Sequence, residues 1–93
     1  DPEDEPSILL EAQSLVHGDR QNSYGHPYYD YDRVARLWSV VLDTEVTPEQ
    51  AVLCMICIKI SRECHKHKRD NLVDMAGYSE VLNLIKTFPG GDV

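Results

Sequence analysis

The segment from Thr47 to Cys64, TPEQAVLCMICIKISREC, constrains the fold more than any other part of the chain. Its first four residues place a threonine before a proline and a glutamine three positions later, the pattern of a capping box at a helix N-terminus. From Ala51 to Ile60 nearly every face of the predicted helix is apolar, which is typical of a helix enclosed on all sides. A chain of 93 residues buries only about 60–65% of the surface that its unfolded form exposes. The segment therefore predicts a homodimer or a higher oligomer.

Three more helices are predicted from apolar residues at helical spacing. They run from about Pro6 to His17, from Pro27 to Leu42, and from about Asp70 to Thr87. Gly18 is expected to end the first of them, and a polar loop (17–27) is expected to follow. No segment alternates in the manner of a strand, so the predicted fold is all-α, a four-helix bundle. Its single domain spans residues 7–88, between a flexible acidic leader (1–6) and a flexible tail (89–93).

The balance of charge excludes several classes of partner. The formal net charge of −7 argues against binding to nucleic acid or to an anionic membrane, because both select basic surfaces. The longest apolar run, residues 51–58, is too short to span a bilayer, and no signal peptide is visible. We therefore expect a cytoplasmic protein.

The three cysteines, Cys54, Cys57 and Cys64, all fall on the apolar helix. An odd number of cysteines on one helix does not form a disulfide framework and fits a reducing compartment. Zinc binding together with His65 or His67 is one interpretation. Packing in the core is the favoured one, because zinc knuckles present C-x-x-C on a turn and free cysteine is commonly buried.

Two aspartates, Asp70 and Asp74, are four residues apart on the last predicted helix, so their carboxylates project from the same side. Like charges at that spacing repel unless a cation lies between them, and Mg²⁺ accepts one or two carboxylates together with ligand phosphates. The preceding helix ends with Lys59, Arg62 and Glu63. Lys59 interrupts an apolar helix and needs a carboxylate or phosphate partner. The alternative is that Asp70 caps the helix and Asp74 is solvated.

The stretch HGDRQNSYGHP, residues 17–27, concentrates more polar chemistry than a connector needs. Arg20 is predicted to pair bidentately with a phosphate, and Tyr24 to stack on a base or to bond a sugar hydroxyl. His17 and His26 are candidates to donate to phosphate oxygens or to move protons near neutral pH. The alternative is a rigid loop whose polar groups satisfy one another.

Four stretches, HGDRQNSYGHP, YDRVARLW, TPEQAVLCMICIKISRE and KRDNLVDMAGYSEVL, together resemble a family of small phage and prophage proteins with no assigned activity. The similarity covers nearly everything from Glu11 to Leu82. More distantly, this family and the domains associated with nucleotide modification are similar to MazG-like nucleotide pyrophosphohydrolases. Those all-α enzymes are dimers or tetramers that hold Mg²⁺ on helix-borne acidic residues. They cleave nucleoside triphosphates between the α and β phosphates.

The resemblance implies a Mg²⁺ site beside a nucleotide site. The metal ligands would be Glu11, Glu63, Asp70 and Asp74, of which Glu63 and Asp74 would serve in catalysis. The residues that bind the nucleotide would be Arg20, Tyr24, His26, Lys59, Arg62 and Tyr78. The pyrophosphohydrolases carry E-E-x-x-E and a later E-x-x-D, whereas the first helix here offers Glu11 alone. We expect a MazG-like helical domain that binds a nucleotide, with Mg²⁺-dependent pyrophosphohydrolysis as a further activity that the smaller number of carboxylates leaves open. The alternative is a non-catalytic module that sequesters a nucleotide or binds a host protein.

Overall fold

A computed structural model describes residues 5–90 of the chain. Within that range the fold is all-α, as predicted, without a strand. The helical elements are α1 (Ile8–Ser14), a π-helical segment (Leu15–Arg20), α2 (Gln21–Tyr24), α3 (Pro27–Leu42), α4 (Pro48–His65) and α5 (Arg69–Lys86). None of these helices is both long and apolar enough to cross a bilayer. Most of the predicted leader and most of the predicted tail, residues 1–4 and 91–93, lie outside the described range.

The starts of α3 and α4 are fixed by side chains that satisfy free backbone amides. The Thr47 hydroxyl accepts a hydrogen bond from the backbone N–H of Gln50 at 3.1 Å, and the Gln50 side chain accepts one from the backbone N–H of Thr47 at 2.9 Å. This is the predicted capping box. At α3, His26 Nδ1 accepts from the backbone N–H of Tyr28 at 3.0 Å, and Pro27 takes the first helical position. The predicted starts of both helices are therefore confirmed.

The predicted helix end at Gly18 is wrong, because the chain stays helical to Tyr24. Residues 15–20 form the π-helical segment, in which each backbone hydrogen bond spans one residue more than in an α-helix. Glycine adopts helical angles as well as a helix-ending conformation, so Gly18 alone does not stop the chain. The helix ends at Gly25, whose φ is +75° and whose N–H donates to the Gln21 carbonyl at 2.8 Å. Most of the predicted loop is thus a helical surface.

The core lies where the π-helical segment, α3, α4 and α5 meet. α5 packs against α1, α3 and α4, and α4 also packs against α3. The buried residues at its centre are Val16, Tyr31, Ala51, Val52, Val81 and Ile85. The same contacts hold the π-helical segment against α5, and the polar residues of that segment therefore stand beside the core.

α4 is not enclosed within a single chain. Its inner residues Ala51 and Val52 are fully buried, whereas Leu53 and Ile60 are each 48% exposed. The three cysteines are also exposed, so the expectation that they pack in the core is wrong for the single chain. The physical reason is that α3 and α5 cover only one side of a helix that is apolar nearly all round. The oligomer predicted from this helix stays a prediction.

Candidate functional site

Two adjoining cavities lie beside the π-helical segment. The first, of about 60 Å³, lies between this segment and α5, and the second, of about 10 Å³, lies between it and α3. Arg20, Val16 and Val81 line both cavities. The polar side chains around them are Asp74 and Tyr78 in the first and Gln21, Tyr24, Asp30 and Tyr31 in the second. Arg20 therefore stands at the junction of the two cavities.

Arg20 is the last residue of the π-helical segment, and its side chain is exposed. Its guanidinium carbon lies 6.0 Å from the centre of the Tyr24 ring, within the range of a cation–π contact. Among residues 5–90 the Arg20 guanidinium forms no ion pair with a carboxylate. A guanidinium offers five N–H donors in a planar fork that matches a phosphate. Arg20 and the exposed Tyr24 thus present a cation and an aromatic face side by side.

Lys59 reaches from α4 to Asp74 on α5, where the two charged groups are 2.7 Å apart. The Lys59 side chain is only 15% exposed, so it needs a partner to offset its desolvation. Asp74 is that partner and also lines the first cavity. Its carboxylate is consequently neutralised by a lysine at the wall of the cavity.

Each cavity is lined by a tyrosine that is buried or half-buried. Tyr31 is buried in the wall of the second cavity, and Tyr78 lines the first. Burial raises the pKa of Tyr31 well above its ordinary value; among the smaller influences, neighbouring Tyr78 acts in the same direction and Arg20 in the opposite one. Tyr31 is therefore protonated throughout the physiological range and cannot serve as a base there.

Glu63 organises the connector between α4 and α5, away from the two cavities. Its carboxylate accepts hydrogen bonds from the Asn71 side chain and from the Lys68 backbone N–H, each at 3.0 Å, and it also pairs with His67. These contacts, with Asn71 the largest influence, lower the pKa of Glu63 to about 2. The local role is to close the turn before α5.

Glu11 and Asp70 also lie apart from the cavities. Glu11 forms an ion pair with Arg69, whose guanidinium also donates to the Pro6 carbonyl at 2.6 Å. Asp70 is exposed in the first turn of α5. Within residues 5–90 no three His, Cys, Asp or Glu side chains gather closely enough to hold a metal ion. The structure therefore does not assemble the predicted ligands Glu11, Glu63, Asp70 and Asp74 into one metal centre.

Two of the predicted nucleotide-binding residues occupy other places. Arg62 lines an open depression of about 610 Å³ near the connector, together with His65, Lys66 and Lys68. His26 caps α3, and its ring lies 4.6 Å from that of Phe88, where burial lowers its pKa. The structure brings together Arg20, Tyr24 and Tyr78, with Lys59 behind Asp74, and leaves Arg62 and His26 outside this group.

Sequence reasoning missed several partners that fix this region. His17 Nε2 lies 2.7 Å from Glu80, and Tyr31 lines the second cavity, although the sequence pattern marks neither contact. Nor does the sequence predict the ion pair between Arg69 and Glu11. A basic residue such as Arg69 weakly suggests an ion pair, but the sequence does not indicate which of the sixteen acidic residues is its partner.

Together these features define an all-α domain with two adjoining cavities that share Arg20 and are flanked by tyrosines, rather than a centre built from clustered carboxylates. The chain belongs to the family described as a domain of unknown function, DUF6378, which it matches over residues 7–86. This agrees with the predicted likeness to small phage proteins.

Two phage proteins are among its relatives. The Gene 55 protein of Mycobacterium phage D29 is 39% identical over 84 residues, which is 89% of this chain and 56% of the phage protein. The Gene 55 protein of Mycobacterium phage L5 is 37% identical over 78 residues, which is 82% of this chain and 50% of that protein. The chain thus spans about half the length of these relatives. No solved structure matches it.

Proposed function

We propose that this protein binds a nucleotide, or a related phosphate ester, at the junction of the two cavities. The observation that carries the proposal is the position of Arg20, a guanidinium beside both cavities without a carboxylate partner among residues 5–90. Arg20 would take a phosphoryl group in a bidentate, charge-assisted contact. The exposed ring of Tyr24 would stack on the base, which every nucleobase permits because each has a π-face.

The size of the cavities determines how such a ligand lies. A volume of about 60 Å³ holds a few water molecules, whereas sites that enclose a whole small molecule measure about 300–1,000 Å³. The first cavity therefore suits one phosphoryl group. The sugar and base would lie outside it, across the exposed surface beside Tyr24.

The resemblance to MazG-like enzymes extends the proposal toward Mg²⁺-dependent pyrophosphohydrolysis, but the residues present do not fit a resident metal. Asp74 is the one carboxylate among the residues that line the first cavity, and Lys59 already neutralises it. Mg²⁺ that arrives with a nucleotide is held largely by phosphates and water and needs only one or two carboxylates. We therefore propose binding as the function and derive no hydrolytic step from this set of residues.

The experiment is thermal unfolding in the presence of nucleoside triphosphates or inorganic phosphate, each with Mg²⁺ and with a chelator. A ligand at about 100 times its Kd that binds only the folded state adds about 2.7 kcal/mol to the free energy of unfolding. Arg20→Ala and Tyr24→Ala should each weaken binding by roughly 1–3 kcal/mol. Their effect on unfolding without ligand should be smaller, because both side chains are exposed.

Two matched controls separate the site from general effects. Arg36 pairs with Asp32 on α3, and its side chain is 80% exposed. Arg36→Ala therefore removes the same charge at a residue that lines neither cavity. Tyr29→Ala likewise removes a tyrosine that is 60% exposed and lines neither cavity. Neither control should alter ligand binding. If no nucleotide stabilises the wild-type protein, the proposal is wrong, and the alternative of a module that binds a host protein through its acidic surface is favoured. If a nucleotide stabilises the protein only when Mg²⁺ is present, the species that binds is the complex of the nucleotide with Mg²⁺.

A further inference from the structure

The outward face of α4 carries a regular stripe of exposed side chains. Its members recur at intervals of three and four residues: Leu53, Cys54, Cys57, Ile60, Ser61 and Cys64. This is the spacing of the a and d positions through which helices pair in coiled coils. We refer to these six residues as the α4 seam.

The α4 seam is part of a larger apolar surface that continues onto α3. Leu37, Val40 and Val41 on α3 are 60%, 80% and 80% exposed. A groove of about 440 Å³, lined by Leu42 of α3 and Leu53 of α4 among others, joins the two helices. Leu42, Ile58 and Ile60 are a further 60%, 40% and 48% exposed. Exposed aliphatic side chains that adjoin one another in this way mark an interaction surface, and two copies of the chain that pair on it would remove them from water.

We propose that the α4 seam packs against the α4 seam of a second copy of this chain, antiparallel, about a two-fold axis at Cys57. A two-fold dimer uses the same patch on both subunits, so the patch must match itself after rotation. The seam does so around Cys57, because Leu53 then lies opposite Ser61 of the other copy and Cys54 opposite Ile60 of the other copy. Cys57 lies opposite its own equivalent.

The distribution of charge selects the antiparallel arrangement. Arg62, His65 and Lys66 stand at the C-terminal end of α4, whereas Glu45 and Glu49 stand at its N-terminal end. Antiparallel pairing brings the basic end of each copy to the acidic end of the other, and it also opposes the two helix dipoles. Parallel pairing would place like charges side by side at both ends, which disfavours association.

The three cysteines distinguish these arrangements. With the axis at Cys57 and a rise of about 1.5 Å per residue, equivalent residues are offset along the helices by about 9 Å for Cys54 and about 21 Å for Cys64. A disulfide needs Cα atoms within about 7 Å of each other. Only Cys57 therefore meets its own equivalent in the antiparallel dimer, whereas all three cysteines would do so in a parallel dimer in register.

The experiment uses three variants that each retain one cysteine, the other two being changed to serine. Diamide oxidises a pair of thiols to a disulfide by taking up their two hydrogens, and the product is separated by electrophoresis without reductant. The Cys57-only protein should form a covalent dimer rapidly, and the Cys54-only and Cys64-only proteins at least tenfold more slowly. Equal rates for all three, or none above a denatured control, would overturn the proposal.

Sedimentation tests the same surface without cross-linking. The wild-type protein should sediment as a dimer at micromolar concentration, and Ile60→Glu should sediment as a helical monomer, because that side chain is already 48% exposed in the single chain. Leu9→Glu is the matched control, since Leu9 is 74% exposed on α1, outside the seam, and it should remain a dimer. A monomeric wild-type protein, or an Ile60→Glu variant that stays dimeric, would contradict the proposed interface.

Discussion

Replacing Gly77 with alanine should raise the free energy of unfolding without ligand and, at the same time, weaken ligand binding. Gly77 lies inside α5 at a buried position, and a Cβ built there would be 3.5 Å from Val16 Cγ2, an ordinary van der Waals distance. Alanine is better than glycine in a helix interior by about 1 kcal/mol. Gly77→Ala should therefore raise the free energy of unfolding by about 1 kcal/mol and Tm by about 4–8 °C for a domain of this size.

Gly77 also lines the first cavity, which has a volume of about 60 Å³, so the added methyl group is expected to take up part of that space. If a phosphoryl group enters there, Gly77→Ala should weaken ligand binding about tenfold, equivalent to about 1.4 kcal/mol. Urea unfolding without ligand measures the first effect, and the shift of Tm by a saturating nucleotide measures the second. Ser79→Ala, at an exposed position of α5, is the control that changes helix propensity without reaching the cavity.

Each of two outcomes would refute part of this reasoning. A stabilised Gly77→Ala protein that binds the nucleotide as well as wild type would show that the phosphoryl group does not enter the first cavity. A destabilised variant would show that the space between Val16 and α5 cannot accept a methyl group, and the packing argument would be wrong.

Two further predictions concern charged groups. Hydrogen bonds lower the pKa of Glu63 from 4.5 to about 2. The stability that its carboxylate contributes is therefore complete above about pH 5 and is lost as the pH falls through 2. Urea unfolding between pH 6 and pH 2 should show that the free energy of unfolding depends less on pH for Glu63→Gln than for wild type. Asp74→Asn should lower the free energy of unfolding by about 1 kcal/mol, because it leaves Lys59 with its 15% exposure without a charged partner. If relief of repulsion from Asp70 dominated instead, thermal unfolding would show a more stable variant.

Much of the fold could be predicted because its signals are local. The capping box of Thr47 and Gln50 and the proline at position 27 each act within a few residues, and the apolar spacing defines the helix faces. Gly18 misled the prediction because glycine permits several backbone conformations. Where this helix ends depends on the backbone hydrogen bonds of residues 15–25 together. A single glycine in the sequence therefore does not predict it.

The site could be predicted only in part, because it depends on which charges meet after packing. The chemistry of Arg20 predicts a role in binding, and Arg20 does line both cavities. The acidic residues were expected to gather around a metal, but Glu11 lies against Arg69 and Asp74 against Lys59. Each carboxylate gains more from a nearby cation than from a like-charged neighbour, and the sequence alone does not give the distances that decide between the two.

The π-helical segment also determines what a change in chain length would do here. Removing one residue between positions 15 and 20 would convert the segment to an ordinary α-helix, and the backbone hydrogen bonds would remain satisfied. A π-helical segment fits one residue more into the same stretch of helix than an α-helix does, so the helix after the deletion would keep its orientation against α5. Tyr24 would therefore still lie beside the second cavity, and so would Arg20 if the residue removed is Asp19. Each residue turns an α-helix by about 100°, so the same deletion within a regular helix such as α3 would instead rotate all later side chains away from their partners. The π-helical segment thus makes this stretch tolerant of the loss of a residue that would disrupt its neighbours.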